Sequence, residues 1–260
     1  MTAILRNESR KLLRGTLVLT GAFALLAIFM LSVFPAMAEE AEAIQEALPE
    51  HAFALFGFAE LHLLEGFLGS YMFPFIWVVF LGAYFAYLGG GMIADDIRDR
   101  RMDLTLSNPV SRESVVLQKV GALWVPTLVV NAVLFAVLYG GSVVLDETLD
   151  PLVLAMALLL SVPYLLVCAA IGVVLSVVLD RTESAQAGAI GTVLLLWLVD
   201  GLSEMDPDLE WVGGVAPSRY FDPAAILLRE EYALGDASIL FGAFAGLVGL
   251  AILVFVRRDI

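Results

Sequence analysis

Six stretches of apolar residues, at roughly 16–38, 72–94, 120–145, 151–179, 186–202 and 238–256, divide the chain. A helix rising about 1.5 Å per residue needs about 20 apolar residues to cross about 30 Å of hydrocarbon. The fifth stretch falls short of that length and the fourth exceeds it, and no internal repeat or low-complexity tract interrupts the series. The pattern predicts an all-α membrane protein, six transmembrane helices forming a single domain over residues 1–260.

Two polar stretches carry patterns of their own. At about 100° per residue, Ile4, Leu5, Leu12 and Leu13 fall on one side of a helix over residues 3–14. Arg6, Arg10, Lys11 and Arg14 fall opposite, with Glu8 near the apolar edge. A short basic amphipathic helix lying in the membrane interface fits this pattern; a positive flank that only sets topology is the alternative, and the two are compatible. Between the second and third runs lies Ile93–Arg112, IADDIRDRRMDLTLSNPVSR. Its first half predicts a surface helix with Ile93, Ile97 and Leu104 along one side. Asn108-Pro109 marks a turn, because the residue before proline disfavours helix. Ser111 then caps the next helix, with Glu113 in its first turn. Leu104, Leu106 and Val110 are too apolar to stand in water without reason, so this elbow is a candidate docking surface. A charged loop whose leucines dip into the headgroups is the alternative.

Composition narrows the class. The chain is 60% hydrophobic and 16% charged, against about half and about a quarter for soluble domains. A net charge of −14 excludes nucleic acid as the main partner, since phosphate binding needs a basic face. Lysine occurs only at Lys11 and Lys119; an acidic, lysine-poor surface suits a halophile, where salt screens its self-repulsion. The single cysteine, Cys168, rules out a disulfide framework within the chain, and two histidines, His51 and His62, are too few for most metal sites.

Arginine and lysine also orient the chain. They gather before the first run, between the second and third (Arg98, Arg100, Arg101, Arg112, Lys119), at Arg181 and at Arg257-Arg258. Only Arg219 and Arg229 lie on the other side, where Glu39, Glu40, Glu42, Glu46, Glu50, Glu60, Glu65, Asp146, Glu147 and Asp150 are found. Both termini are therefore expected in the cytosol, in a plasma membrane. The basic start and Ala36-Met37-Ala38 imitate a signal peptide, but the apolar run from Thr16 to Ala38 is longer than a signal core, so it is read as a retained span; cleavage would leave five.

Catalytic patterns are scarce. There is no HExxH, no GxSxG and no GxxxxGK[ST], so the chain alone is not expected to hydrolyse ATP. Glu230-Glu231 resembles the paired glutamates of membrane-embedded CAAX-type proteases, but Gly235 stands where an arginine is needed. Asn131, with Thr127 a turn earlier, is the most polar mid-span residue. An inter-helix hydrogen bond is its simplest role, and a place on a translocation pathway is the alternative. Asp180 and Asp200 lie near span ends and are expected to face water. Small residues at helical spacing (Gly82, Ala86 and Gly90; Ala185 to Gly191; Gly242 and Gly246) allow close helix packing or a flexible gate.

The elbow resembles the intracellular loop of ABC-2 type permeases, the membrane subunits of ATP-driven exporters, where the pattern runs approximately iAgEeerGTLelLLsxPVSR. Pro109, Val110, Ser111 and Arg112 match its end. Leu104, Leu106 and Ser107 match the leucine run and its serine, Asp103 stands for the acidic residue, and Asp96 replaces the glutamate. Arg100 and Arg101 depart from Gly-Thr, and Thr105 interrupts the leucines. Ala216–Pro223 resembles the family's sPfryFdp region and Glu65–Leu68 its peGfl.

The resemblance implies an interfacial N-terminal helix, six spans, and a segment after the fifth that dips into the membrane. It also implies a second permease copy or paralogue and separate ATPase subunits that bind ATP and magnesium, leaving this chain no cofactor or metal of its own. Docking to the ATPase falls on Arg101, Asp103, Leu104, Leu106, Pro109, Val110 and Arg112. Aspartate at Leu106 and Val110 is expected to uncouple ATP hydrolysis from transport without unfolding the spans. Sparse mid-span polarity suits an apolar or amphipathic cargo. Alternatives are a permease for maturation of a secreted metalloenzyme, of the nitrous-oxide-reductase assembly type, and a six-span scaffold or enzyme with no ATPase partner.

Overall fold

The computed structural model describes residues 3–47, 62–203, 205, 208 and 210–258, with the backbone alone over 41–47. Glu50, His51 and Glu60, in the first connection, lie outside the described residues. Among the described residues there is no strand. Among the described residues six helices are long and apolar enough to cross a membrane: Ala3–Glu40, Leu64–Arg98, Arg112–Val144, Pro151–Val178, Thr182–Ser203 and Leu234–Arg257. These are spans one to six below. Each apolar run lies at least in part within one of them, and most extend beyond their run because polar turns at the ends continue the helical hydrogen bonding.

Span one corrects one expectation. Its helix is unbroken from Ala3 to Ala47, so residues 3–14 are not a separate element. Gly15 alone does not stop a helix: it costs about 1 kcal/mol against alanine but keeps the backbone bonds. The apolar stripe of this first part turns onto protein. Leu12 is buried, Leu5 packs partly buried on the core, and the Leu5 amide donates to Gln118 Oε1 at 3.4 Å.

Span four is the centre of the bundle. Nearly three-quarters of its apolar window (72%) is buried, against 22% for spans five and six; a helix apolar all round belongs in such a place. Span two reaches it through small residues. A Cβ on Gly89 would stand 2.0 Å from the Ala169 carbonyl oxygen, and one on Gly172 would stand 2.2 Å from that of Ala86. Gly90 likewise brings span two against the Gln186 backbone of span five. The stripe in span two is therefore a packing surface. The one in span six differs, since Gly242 and Gly246 have open space where a Cβ would be.

The first half of span two is wound wide. Leu68–Met72 and Pro74–Leu81 are π-helical. Proline lacks an amide and clashes with an α-helical turn before it; a wider turn is one way a helix accommodates this. Tyr164 of span four donates its hydroxyl to the Val78 carbonyl there at 2.8 Å. Gly82 gives that hydroxyl room, because a Cβ would lie 2.7 Å from it.

Candidate functional site

Span two stops being one straight helix at Met92-Ile93, and the groups freed by the bend are claimed by other spans. Ser176 Oγ of span four accepts from the amides of Ile93 at 2.9 Å and Ala94 at 2.8 Å. Lys119 Nζ donates to the Met92 carbonyl at 2.8 Å. Two short helices follow, Ala94–Arg98 and Arg101–Leu106, and the next long helix starts at Arg112. The elbow thus has two helices where the pattern suggested one. Arg100 separates them in the left-handed region at φ 55°, where glycine fits without strain. That is the position at which the family pattern has glycine.

The turn forms as the residues dictate. Asn108 Nδ2 donates to the Leu104 carbonyl at 2.9 Å, and Ser111 Oγ caps the following helix by accepting from Ser114 N at 3.2 Å. Asp99 is held below the usual carboxylate range, first by its hydrogen bond from Arg98 and then by neighbouring positive charge.

Beneath the elbow lies a cluster of buried charge. Lys119, Glu8 and Asp96 are 2%, 5% and 7% exposed. Lys119 Nζ stands 3.0 Å from Glu8 Oε1 and 2.6 Å from Asp96 Oδ2, while Arg101 Nε reaches Asp96 Oδ1 at 3.0 Å. Two cations face two anions, so the cluster is neutral. It joins the base of span one, the elbow and the base of span three. Removing one partner of a buried pair costs about 3–5 kcal/mol because a bare charge remains. The pairs around it, Lys11 with Asp95 and Arg98 with Glu183, stand at the surface, where water and salt screen them and they add little.

The candidate docking residues divide by exposure. Leu104 is 70% exposed, and Asp103 and Pro109 stand beside it in water. Leu106 and Val110 are half-buried against the core. Arg101 is exposed but spoken for, paired with Asp96 and Asp99, each at 3.0 Å. Arg112 turns to the end of span six, where its Nη1 donates to the carbonyls of Phe255 at 3.1 Å and of Arg258, with the guanidinium 5.8 Å from the centre of the Phe255 ring. It satisfies carbonyls that a helix end leaves open.

Asn131 is spent between helices. Its Oδ1 accepts from Trp77 Nε1 at 3.1 Å and from Ser161 Oγ at 3.4 Å, while its Nδ2 donates to the Thr127 carbonyl at 3.1 Å. Spans two, three and four meet there. Asp180 faces water as expected. Asp200 does not: it is 7% exposed and accepts from Ser218 Oγ, because the segment after span five folds back over it. A cleft of about 650 Å³ opens between spans four, five and six, lined in part by Val167, Ile171, Leu196, Leu240 and Leu247.

Glu8, Asp96, Lys119 and Ser176 were not among the candidate residues. Three of them left a trace in the sequence. Lys119 is one of two lysines, Glu8 is an acid on the apolar edge of a basic stretch, and Asp96 stands at the pattern's glutamate. Ser176 left none.

Six helices long and apolar enough to cross a membrane, with a polar elbow clamped beneath the second and third, define a multi-pass membrane protein built around a braced polar loop. The family model described as ABC-2 family transporter protein matches residues 2–211, and the chain belongs to that family. No curated protein matches it. The chain is thus a permease of an ABC transporter, a transport subunit rather than an enzyme, and membership implies an ABC ATPase partner in general.

Proposed function

We propose that this permease couples ATP hydrolysis on a separate subunit to export, with the elbow as the docking point. The observation that carries the reading is Leu104. It is a large apolar residue 70% exposed at the tip of an elbow whose base is clamped by buried charge. An exposed leucine on a rigid mount suits a groove in a partner protein. Asp103 and Pro109 flank it, Leu106 and Val110 shape the turn from beneath, and Arg101 and Arg112 fix the elbow to its surroundings. The ATPase subunits hold ATP and magnesium, and a second permease copy or paralogue completes the transporter. Both termini and the elbow lie on the cytosolic side, supported by the distribution of arginine. The apolar cleft between spans four, five and six supports an apolar or amphipathic cargo.

ATP can drive such a device only if the nucleotide-bound ATPase favours one permease conformation. Co-purification from native membranes tests the docking. Wild type is expected to bring down a protein with a phosphate loop, and Leu104→Asp to reduce its recovery at least tenfold while the permease keeps its thermal stability. Equal recovery with a folded Leu104→Asp chain would remove the elbow from the interface. Leu106→Asp and Val110→Asp are less clean tests, since both side chains also pack against the core.

A further inference from the structure

The segment between spans five and six rests one half on span two and fastens the other to span five. Its second half, the helix Pro223–Arg229, sits on span two. A Cβ on Gly69 would meet the Ala224 Cα at 2.8 Å, so backbone rests on backbone with no compliant side chain between. Tyr164 of span four, fully buried, links the two through that span: its hydroxyl holds the Val78 carbonyl of span two, and its ring stacks on Phe221 at 6.0 Å. The first half is fastened to span five, where Ser218 donates to Asp200 Oδ2. Phe221 and Asp222 run extended between the two anchorages. Spans two and five can therefore not shift against each other without working this segment.

The span-five anchorage holds two orphans. Asp200 Oδ1 and Arg219 Nη1 are both buried without a hydrogen-bond partner. They lie 3.2 Å and 2.6 Å from the point where a side chain on Gly213 would begin. A buried acceptor and a buried donor, each unsatisfied and converging on one point, mark a conformation that a small displacement would improve. Arg219 meanwhile pairs with Glu210 through its other nitrogen at 2.9 Å, at the surface.

We propose that Asp200 and Arg219 form a two-position latch, which closes as an ion pair when span two carries the helix Pro223–Arg229 relative to span five. The end of the molecule opposite the elbow would then have a stop of its own, thrown by the elbow through span two. The inference rests on the coupling reading above.

The test uses the full transporter with its ATPase in lipid nanodiscs and two nitroxide labels, one on the elbow (Ser107→Cys) and one on the segment (Trp211→Cys, at a site 79% exposed). In otherwise wild-type protein both spectra are expected to change on trapping with ATP, magnesium and vanadate. Asp200→Asn, which keeps shape and loses only charge, should leave the elbow change intact and cut the segment change at least fivefold. Arg219→Lys, which keeps the cation, should retain at least half of it. A full segment response in folded Asp200→Asn protein, or a silent segment beside a responding elbow in wild type, overturns the latch and leaves the coupling reading standing. An elbow silent in wild type overturns the coupling reading, and the latch with it.

Discussion

At the elbow end of span two, one lysine, two carboxylates and an arginine hold three elements together by charge. At the far end the same helix meets the later segment through bare backbone, at Gly69 against Ala224. The difference lies in how each joint fails. A charged joint tolerates small changes in distance but not the loss of a partner, since a buried charge left alone is costly. A backbone joint loses nothing when a distant charge changes, but it cannot accept one added carbon.

The largest effect is expected from breaking the charged joint on one side only. Lys119→Met leaves Glu8 without its cation and should cost about 3–5 kcal/mol, seen as a fall in thermal midpoint in detergent. Glu8→Gln with Lys119→Met removes both members and leaves Asp96 with Arg101, so the double variant should recover most of that loss. If it unfolds as readily as the single variant, the cluster is held by packing rather than by charge. At the other end, Gly69→Val should cost about 1–3 kcal/mol through forced separation of helices. A neutral outcome in the same melting experiment would show that the segment is loosely seated. Smallest is Arg100→Gly in the elbow. Relief of a left-handed arginine, about 1–2 kcal/mol, outweighs the added flexibility of glycine, about 0.5–1 kcal/mol. A gain of roughly 0.5 kcal/mol is expected, and a loss would point to a role for the Arg100 side chain.

Much of the architecture was legible because bilayer thickness sets a length that a spanning helix must meet, and each of the six runs, even the short fifth, lies in a helix that meets it. The Ser111 cap was legible because its chemistry is local: a hydroxyl three residues before an amide. Asn131 was legible as a polar side chain that needs partners in hydrocarbon. The helix break at Arg100 was not, since arginine does not advertise a positive φ as glycine does. The continuity of residues 3–14 with span one was hidden too, because a basic amphipathic stretch looks the same whether it lies on lipid or stands against protein. Asp200 was misplaced in water since nothing in residues 186–202 shows that a later segment folds over it.

The sequence by itself determined the class of molecule: spans, elbow and family follow from local periodicity and from a short motif read in order. Tertiary structure alone decided which charges are buried, which elbow residues remain free and which glycines touch backbone. The physical reason is distance along the chain. Glu8 and Lys119 are 111 positions apart, and Gly69 lies far before Ala224, so their contacts depend on how six helices pack rather than on any pattern within one of them.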